Sequence, residues 1–94
     1  QEISIKLPAT GATSLQMNFL SLLRHRIEVP SKIEIYLGDK LIAQYKPKAE
    51  HKDGPQLIAW KEKLGNRINK KEITLKIYSS GRYHIAIDEI RLIK

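Results

Sequence analysis

With 94 residues, the chain has the length of one domain, and a domain of that size buries only roughly 60–65% of the surface its unfolded chain exposes. Hydrophobic residues at 41% and charged residues at 29% exclude a disordered chain, and no apolar run nears the roughly 18 residues that a membrane-spanning helix needs. The formal charge is +7, and the absence of cysteine excludes disulfides, thiolate metal sites and a cysteine nucleophile.

The first predicted element is EISIKL, residues 2–7, where Ile3, Ile5 and Leu7 alternate with polar residues as in a half-buried strand. Pro8 and Gly11 break it. TSLQMNFL, residues 13–20, alternates through Leu15, Met17 and Phe19 and is a second strand. A polar link, Arg24-His25-Arg26, leads to Ile27, Val29 and Pro30 at a strand entry. KIEIYLGDKLIAQYK, residues 32–46, reads as a β-hairpin. Its Gly38-Asp39 turn is of the primed kind, with glycine supplying positive φ at the first position.

Residues 46–56 form the longest loop, marked by Pro47 and Asp53-Gly54-Pro55. Residues 57–68 fit two periods. Leu57, Trp60, Leu64 and Ile68 share a helical spacing, but Gly65 interrupts it and all its neighbours are strands, so a strand over 57–63 is expected. EITLKIY, residues 72–78, is a strand, and Ser79-Ser80-Gly81 is a turn. In the final strand, RYHIAIDEIRLI, Tyr83, Ile85 and Ile87 lie on one parity and Ile90 and Leu92 on the other. That change of phase predicts a β-bulge at Asp88-Glu89. Seven short strands with turns between them predict an all-β fold, an antiparallel β-sandwich.

The search for chemistry excludes the familiar enzymes. There is no Gly-x-Ser-x-Gly elbow, phosphate loop or His-Glu-x-x-His sequence. His25, His51 and His84 share no metal-ligand spacing, and His84 reads as a wall residue of the last strand. Asp88 and Glu89 point to opposite faces of a strand, so they cannot form the facing carboxyl pair of a glycosidase. The remaining acids, Glu34 among them, are expected to face solvent. No enzyme is therefore expected.

Sugar recognition needs an aromatic platform flanked by hydrogen-bonding groups. Trp60 is the candidate platform, although the lone tryptophan of a small sandwich is more often a core residue; Tyr45, Lys48, His51, Asp53 and Lys61 around the long loop are its candidate ligand-binding neighbours. Residues 46–71 hold eight basic residues against Glu50, Asp53 and Glu62, a segment suited to an anionic partner or simply to a solvated face. Lysine outnumbers arginine there and no aromatics interleave at stacking intervals, which disfavours a nucleic acid.

LQMNFLSLLRHRIEVPSKIEIYLGDK, residues 15–40, together with the ending Ile87-Asp88-Glu89-Ile90, resembles the galactose-binding-like, discoidin-type β-sandwich. The nearest likeness is to versions appended to glycoside hydrolases such as β-hexosaminidases. Ile5-Lys6-Leu7-Pro8 departs from the apolar-Asp-Leu-Gly strand ending usual there. The resemblance implies a jelly-roll sandwich over residues 1–94 that is non-catalytic and binds carbohydrate. It would be one module of a larger, exported glycan-processing protein, set beside a neighbouring domain of the same parent chain. The start at Gln1, with no leader sequence, fits an excised segment. In metal-binding relatives the position matching Glu89 helps hold a structural calcium. The partner loop of those relatives is not in this sequence, so no cofactor or metal is expected. The alternatives are a structural module packing on its neighbour, or a binder of an anionic polymer through residues 46–71.

Overall fold

A computed structural model of the chain describes residues 2–8, 11–22, 26–48, 54–64, 72–81 and 84–94. It contains seven strands: β1 (Glu2–Pro8), β2 (Ser14–Ser21), β3 (Lys32–Leu37), β4 (Lys40–Tyr45), β5 (Gln56–Lys63), β6 (Glu72–Tyr78) and β7 (Ala86–Ile93). They form a four-stranded sheet in the order β1-β6-β3-β4 and a three-stranded sheet in the order β5-β2-β7. All pairings are antiparallel, and no helix occurs among the described residues. The fold is the antiparallel β-sandwich that the alternation predicts. Every connection except the β3–β4 hairpin passes from one sheet to the other.

Period-2 alternation explains which side chains meet. Leu15, Met17 and Phe19 of β2, Ile33 and Ile35 of β3, and Ile73, Leu75 and Ile77 of β6 are fully buried between the sheets. Each such side chain contributes about 1.5–3 kcal/mol relative to exposure. The ambiguous segment resolves in the same way. β5 pairs with β2 along its whole length, so Leu57 and Trp60 fall on opposite faces, 60% and 8% exposed. A helix would have placed them on one face. Gly65 and Ile68 lie outside the described residues.

The hairpin forms as its sequence requires. Leu37 pairs with Lys40, Gly38 takes φ +63°, and Asp39 keeps negative φ. That combination is a type II′ turn, whose twist matches the flanking strands. The bulge in the last strand is also present. Asn18 pairs with Glu89 while Phe19 pairs with Ile87, so Asp88 is the extra residue. One skipped residue returns Ile87, Ile90 and Leu92 to a common face, where all three pack on the core. A second bulge, at Ile42, sits in β4. Both bulges lie on edge strands, where they hinder pairing with another chain. The last strand begins at Ala86 and not at Arg82. His84 forms only an isolated bridge to Ile27 and is exposed, so it is not the wall residue its neighbours suggested. A residue outside the regular ladder no longer follows strand parity.

The layers align through one aromatic contact. Tyr45 of β4 stacks on Trp60 of β5, with centroids 4.7 Å apart and planes inclined by 12°. This brings the inward faces of β4 and β5 together. Burial thins toward the β1 edge of the four-stranded sheet. On β6 the inward residues are fully buried, but Ile3 of β1 is 51% exposed and Ile5 and Leu7 are half-buried.

Candidate functional site

The outward parity of β3 and β6 builds the most organised polar cluster among the described residues. Lys32, Glu34 and Tyr36 of β3 stand opposite Tyr78, Lys76 and Thr74 of β6. Across β6, the outward residues of β1 are Glu2, Ser4 and Lys6. Directly opposed side chains in such a ladder lie about 5 Å apart at Cβ, which is contact range.

Glu34 is the centre of the cluster. The Tyr78 hydroxyl donates to its Oε1 at 2.7 Å and the Tyr36 hydroxyl donates to the same oxygen at 3.1 Å. The Lys32 ammonium lies 3.6 Å from Oε2. Two cations complete the arrangement: Lys32 Nζ sits 4.5 Å from the centroid of the Tyr78 ring, and Lys76 Nζ sits 4.7 Å from that of Tyr36. Glu34 is only 6% exposed although it points away from the core, so the expectation that the acids face solvent fails here. Its two tyrosine neighbours cover it.

The protonation states follow from these contacts. The hydrogen bond from Tyr78 holds the Glu34 carboxyl below its ordinary pKa; Tyr36 and Lys32 add to this, and burial opposes it. The same hydrogen bond pushes the Tyr78 phenol well above its usual range, with Glu2 and burial acting in the same direction. Burial raises Tyr36 first, and Glu34 second. A carboxylate kept ionised by two phenols and an ammonium is a poor general acid. Its role is to fix two aromatic rings upright on the sheet.

Beside this cluster lies an open cleft of about 220 Å³, lined by Tyr36, Gly38, Asp39, Thr74 and Lys76. The hairpin turn supplies its rim, and β6 supplies its floor. The cleft combines one aromatic ring, a carboxylate, a hydroxyl and an ammonium. That set can pack an apolar ring face while both accepting and donating hydrogen bonds.

Of the residues first expected to bind, Tyr45, Lys48, Trp60 and Lys61 are described, and these four do not form one exposed site. Trp60 is a core residue stacked on Tyr45, because inward parity at β5 carries it between the sheets; it is not an exposed platform. Lys61, one residue on, points outward opposite Gln16 on the other side of the sheet. Lys48 is exposed beyond the end of β4. His51 and Asp53 lie outside the described residues, as does much of the lysine-rich segment; Lys46, Lys48, Lys61 and Lys63 are described and exposed. Glu89, the position a calcium site would use, is half-buried, and Arg91 donates to its Oε2 at 3.1 Å. Among the described residues, no three His, Asp or Glu side chains are grouped to hold a metal ion.

Tyr36, Thr74, Lys76 and Tyr78 were not among the residues expected to bind, nor were they joined to Glu34. The signal was there in the parity of both strands. What it lacked was the pairing of β3 with β6, two strands separated in sequence by β4 and β5. Comparison of the chain with protein-family models, with curated proteins and with solved structures returns no match.

Proposed function

We propose that the chain is a non-catalytic carbohydrate-binding module, of the accessory type carried by exported glycan-processing proteins, and that it takes one sugar ring in the Tyr36 cleft. The carrying observation is the pinned aromatic. Tyr36 is held by its hydroxyl on Glu34 while its ring borders a cleft with Thr74, Lys76 and Asp39. The apolar C–H face of a pyranose packs on the ring in place of the Lys76 ammonium, which turns to a sugar hydroxyl. The sugar hydroxyls donate to the Asp39 carboxylate and accept from Thr74 and Lys76. A cleft of about 220 Å³ is smaller than sites for drug-sized ligands, which run from about 300 Å³ upward, and so suits a single ring. The resemblance to galactose-binding-like modules points the same way. Attachment to a catalytic domain would raise the local concentration of substrate.

The test is retention on a panel of neutral and acidic glycan gels, followed by NMR titration of any ligand that is retained. Perturbed resonances at Tyr36, Asp39 and Thr74 are expected. If no glycan retains the domain at millimolar protein, the proposal fails. One observation favours a second reading, a packing surface for a neighbouring domain: Tyr36 and Tyr78 share this face, and Leu41, directly across from Tyr36, is exposed. That reading expects the same resonances to shift on adding the neighbouring domain, and no response to any glycan.

A further inference from the structure

From the free edge of β1 we infer a second function for this domain: it pairs with a second copy of itself, β1 against β1 in antiparallel register, joining the two four-stranded sheets into one. Four strands end the two sheets: β1, β4, β5 and β7. Two of them, β4 and β7, are interrupted by bulges. On β5 the outward row is Leu57, Ala59, Lys61 and Lys63, with no acid to meet the lysines. Among the described residues β1 alone is regular, open on one side, and carries both signs of charge on its outward row, Glu2, Ser4 and Lys6.

That row is self-complementary. In an antiparallel pair centred on Ser4, Ser4 faces its own copy, and Glu2 of one chain meets Lys6 of the other twice over. Opposite charges directly across a ladder are stabilising, and a two-fold axis repeats each contact. The apolar row obeys the same register, because Ile3 of each chain then faces Ile5 of the other. Ile3 is 51% exposed although its parity is inward, opposite the buried Ile77. Lys6 has no carboxylate partner among the described residues, and both Glu2 and Lys6 are exposed. Glu2 also stands across from Tyr78 in its own sheet, on the side away from the free edge.

Pairing of this kind keeps both outer faces on one side of a continuous sheet. Where the cleft reading above holds, the two Tyr36 clefts lie five strand spacings apart across the sheet, about 24 Å at roughly 4.8 Å per strand, and are offset by four residues along it, about 13 Å. A multivalent glycan could then engage both.

The test needs no glycan, so its outcome is independent of the cleft. Light scattering behind size exclusion should show a concentration-dependent dimer. The chain has no cysteine, so Ser4→Cys introduces a single thiol that should form an interchain disulfide under mild oxidation, and a Lys61→Cys control should not. Lys6→Glu should weaken association by about tenfold or more, and Glu2→Lys combined with Lys6→Glu should restore it. Circular dichroism on each variant separates misfolding from loss of pairing. A chain that stays monomeric at millimolar concentration would falsify the inference. So would a dimer in which Ser4→Cys cross-links no faster than the Lys61→Cys control, since the contact would then lie elsewhere.

Discussion

Tyr45 and Trp60 stack between the sheets at 4.7 Å, whereas Tyr36 and Tyr78 stand on the outer face of the four-stranded sheet and reach one carboxylate. The chemistry of the two pairs is similar, but parity separates them. Inward parity gives Tyr45 and Trp60 apolar surroundings and makes them the contact that aligns the layers. Outward parity gives Tyr36 and Tyr78 polar neighbours. The same ring faces then serve two lysines, and the hydroxyls serve Glu34. A surface aromatic held by its hydroxyl has a fixed ring, and a fixed ring loses little side-chain entropy when a ligand packs on it.

Substitution at Trp60 should have the largest effect. Trp60→Ala removes a core ring and leaves Tyr45 without its stacking partner, at a cost of about 3–5 kcal/mol. A domain of this size has about 5–15 kcal/mol of stability in total, so much of the population should unfold under mild urea. Trp60 is the one tryptophan, so circular dichroism must follow the transition. Tyr36→Ala should do the reverse. Stability should fall far less than for Trp60→Ala, while glycan retention weakens by about tenfold or more, as when the aromatic of a small site is lost. Equal stability losses in the two variants would show that parity does not divide the aromatics as argued.

Parity also marks how much the sequence disclosed. All seven strands and the II′ turn were legible, because Ile33, Ile35 and Leu37 or Ile73, Leu75 and Ile77 carry the strand period in their own residues. The bulge was legible too, since a phase error at Asp88-Glu89 is a local signal. Trp60 had two readings, a platform beside the long loop or a core ring, and its pairing opposite the buried Met17 decides for the core. Glu34 was misread for a different reason. Its burial comes from Tyr78, a residue brought alongside only when β6 pairs with β3. Nothing within residues 32–46 encodes that pairing.

The outer pair differs from the inner one in depending on pH. The folded pKa of Glu34 lies below its unfolded value, so its contribution to stability is present above the ordinary carboxylate range, about pH 4.3. It is lost as pH falls through the depressed folded pKa. Tyr78 is raised in the folded state, so its contribution is complete below about pH 10 and is lost as pH rises beyond that. Glu34→Gln removes the main cause of the Tyr78 shift together with the titrating carboxyl. Urea midpoints measured from pH 3 to 11 should therefore fall less steeply at both ends in the variant than in the parent. Parallel curves at both ends would mean that the cluster does not couple Glu34 to Tyr78.

The smallest effect is expected where parity is reset. Asp88 is exposed and is skipped in the pairing of β7 with β2. Deleting it leaves Ala86, Ile87, Glu89, Ile90, Arg91 and Leu92 in strict alternation, with Ile87, Ile90 and Leu92 still inward. No core side chain moves to solvent, so the deletion should change stability by no more than about 1 kcal/mol. Amide exchange and cross-strand contacts should show a continuous ladder in which Asn18 still faces Glu89 and Phe19 still faces Ile87. Deleting Ile90 instead would leave Glu89 and Arg91 adjacent and turn Leu92 outward, which should cost several times more because an apolar side chain leaves the core. If the two deletions proved equally damaging, the bulge would be structural in its own right and not merely the point at which the strand recovers its phase.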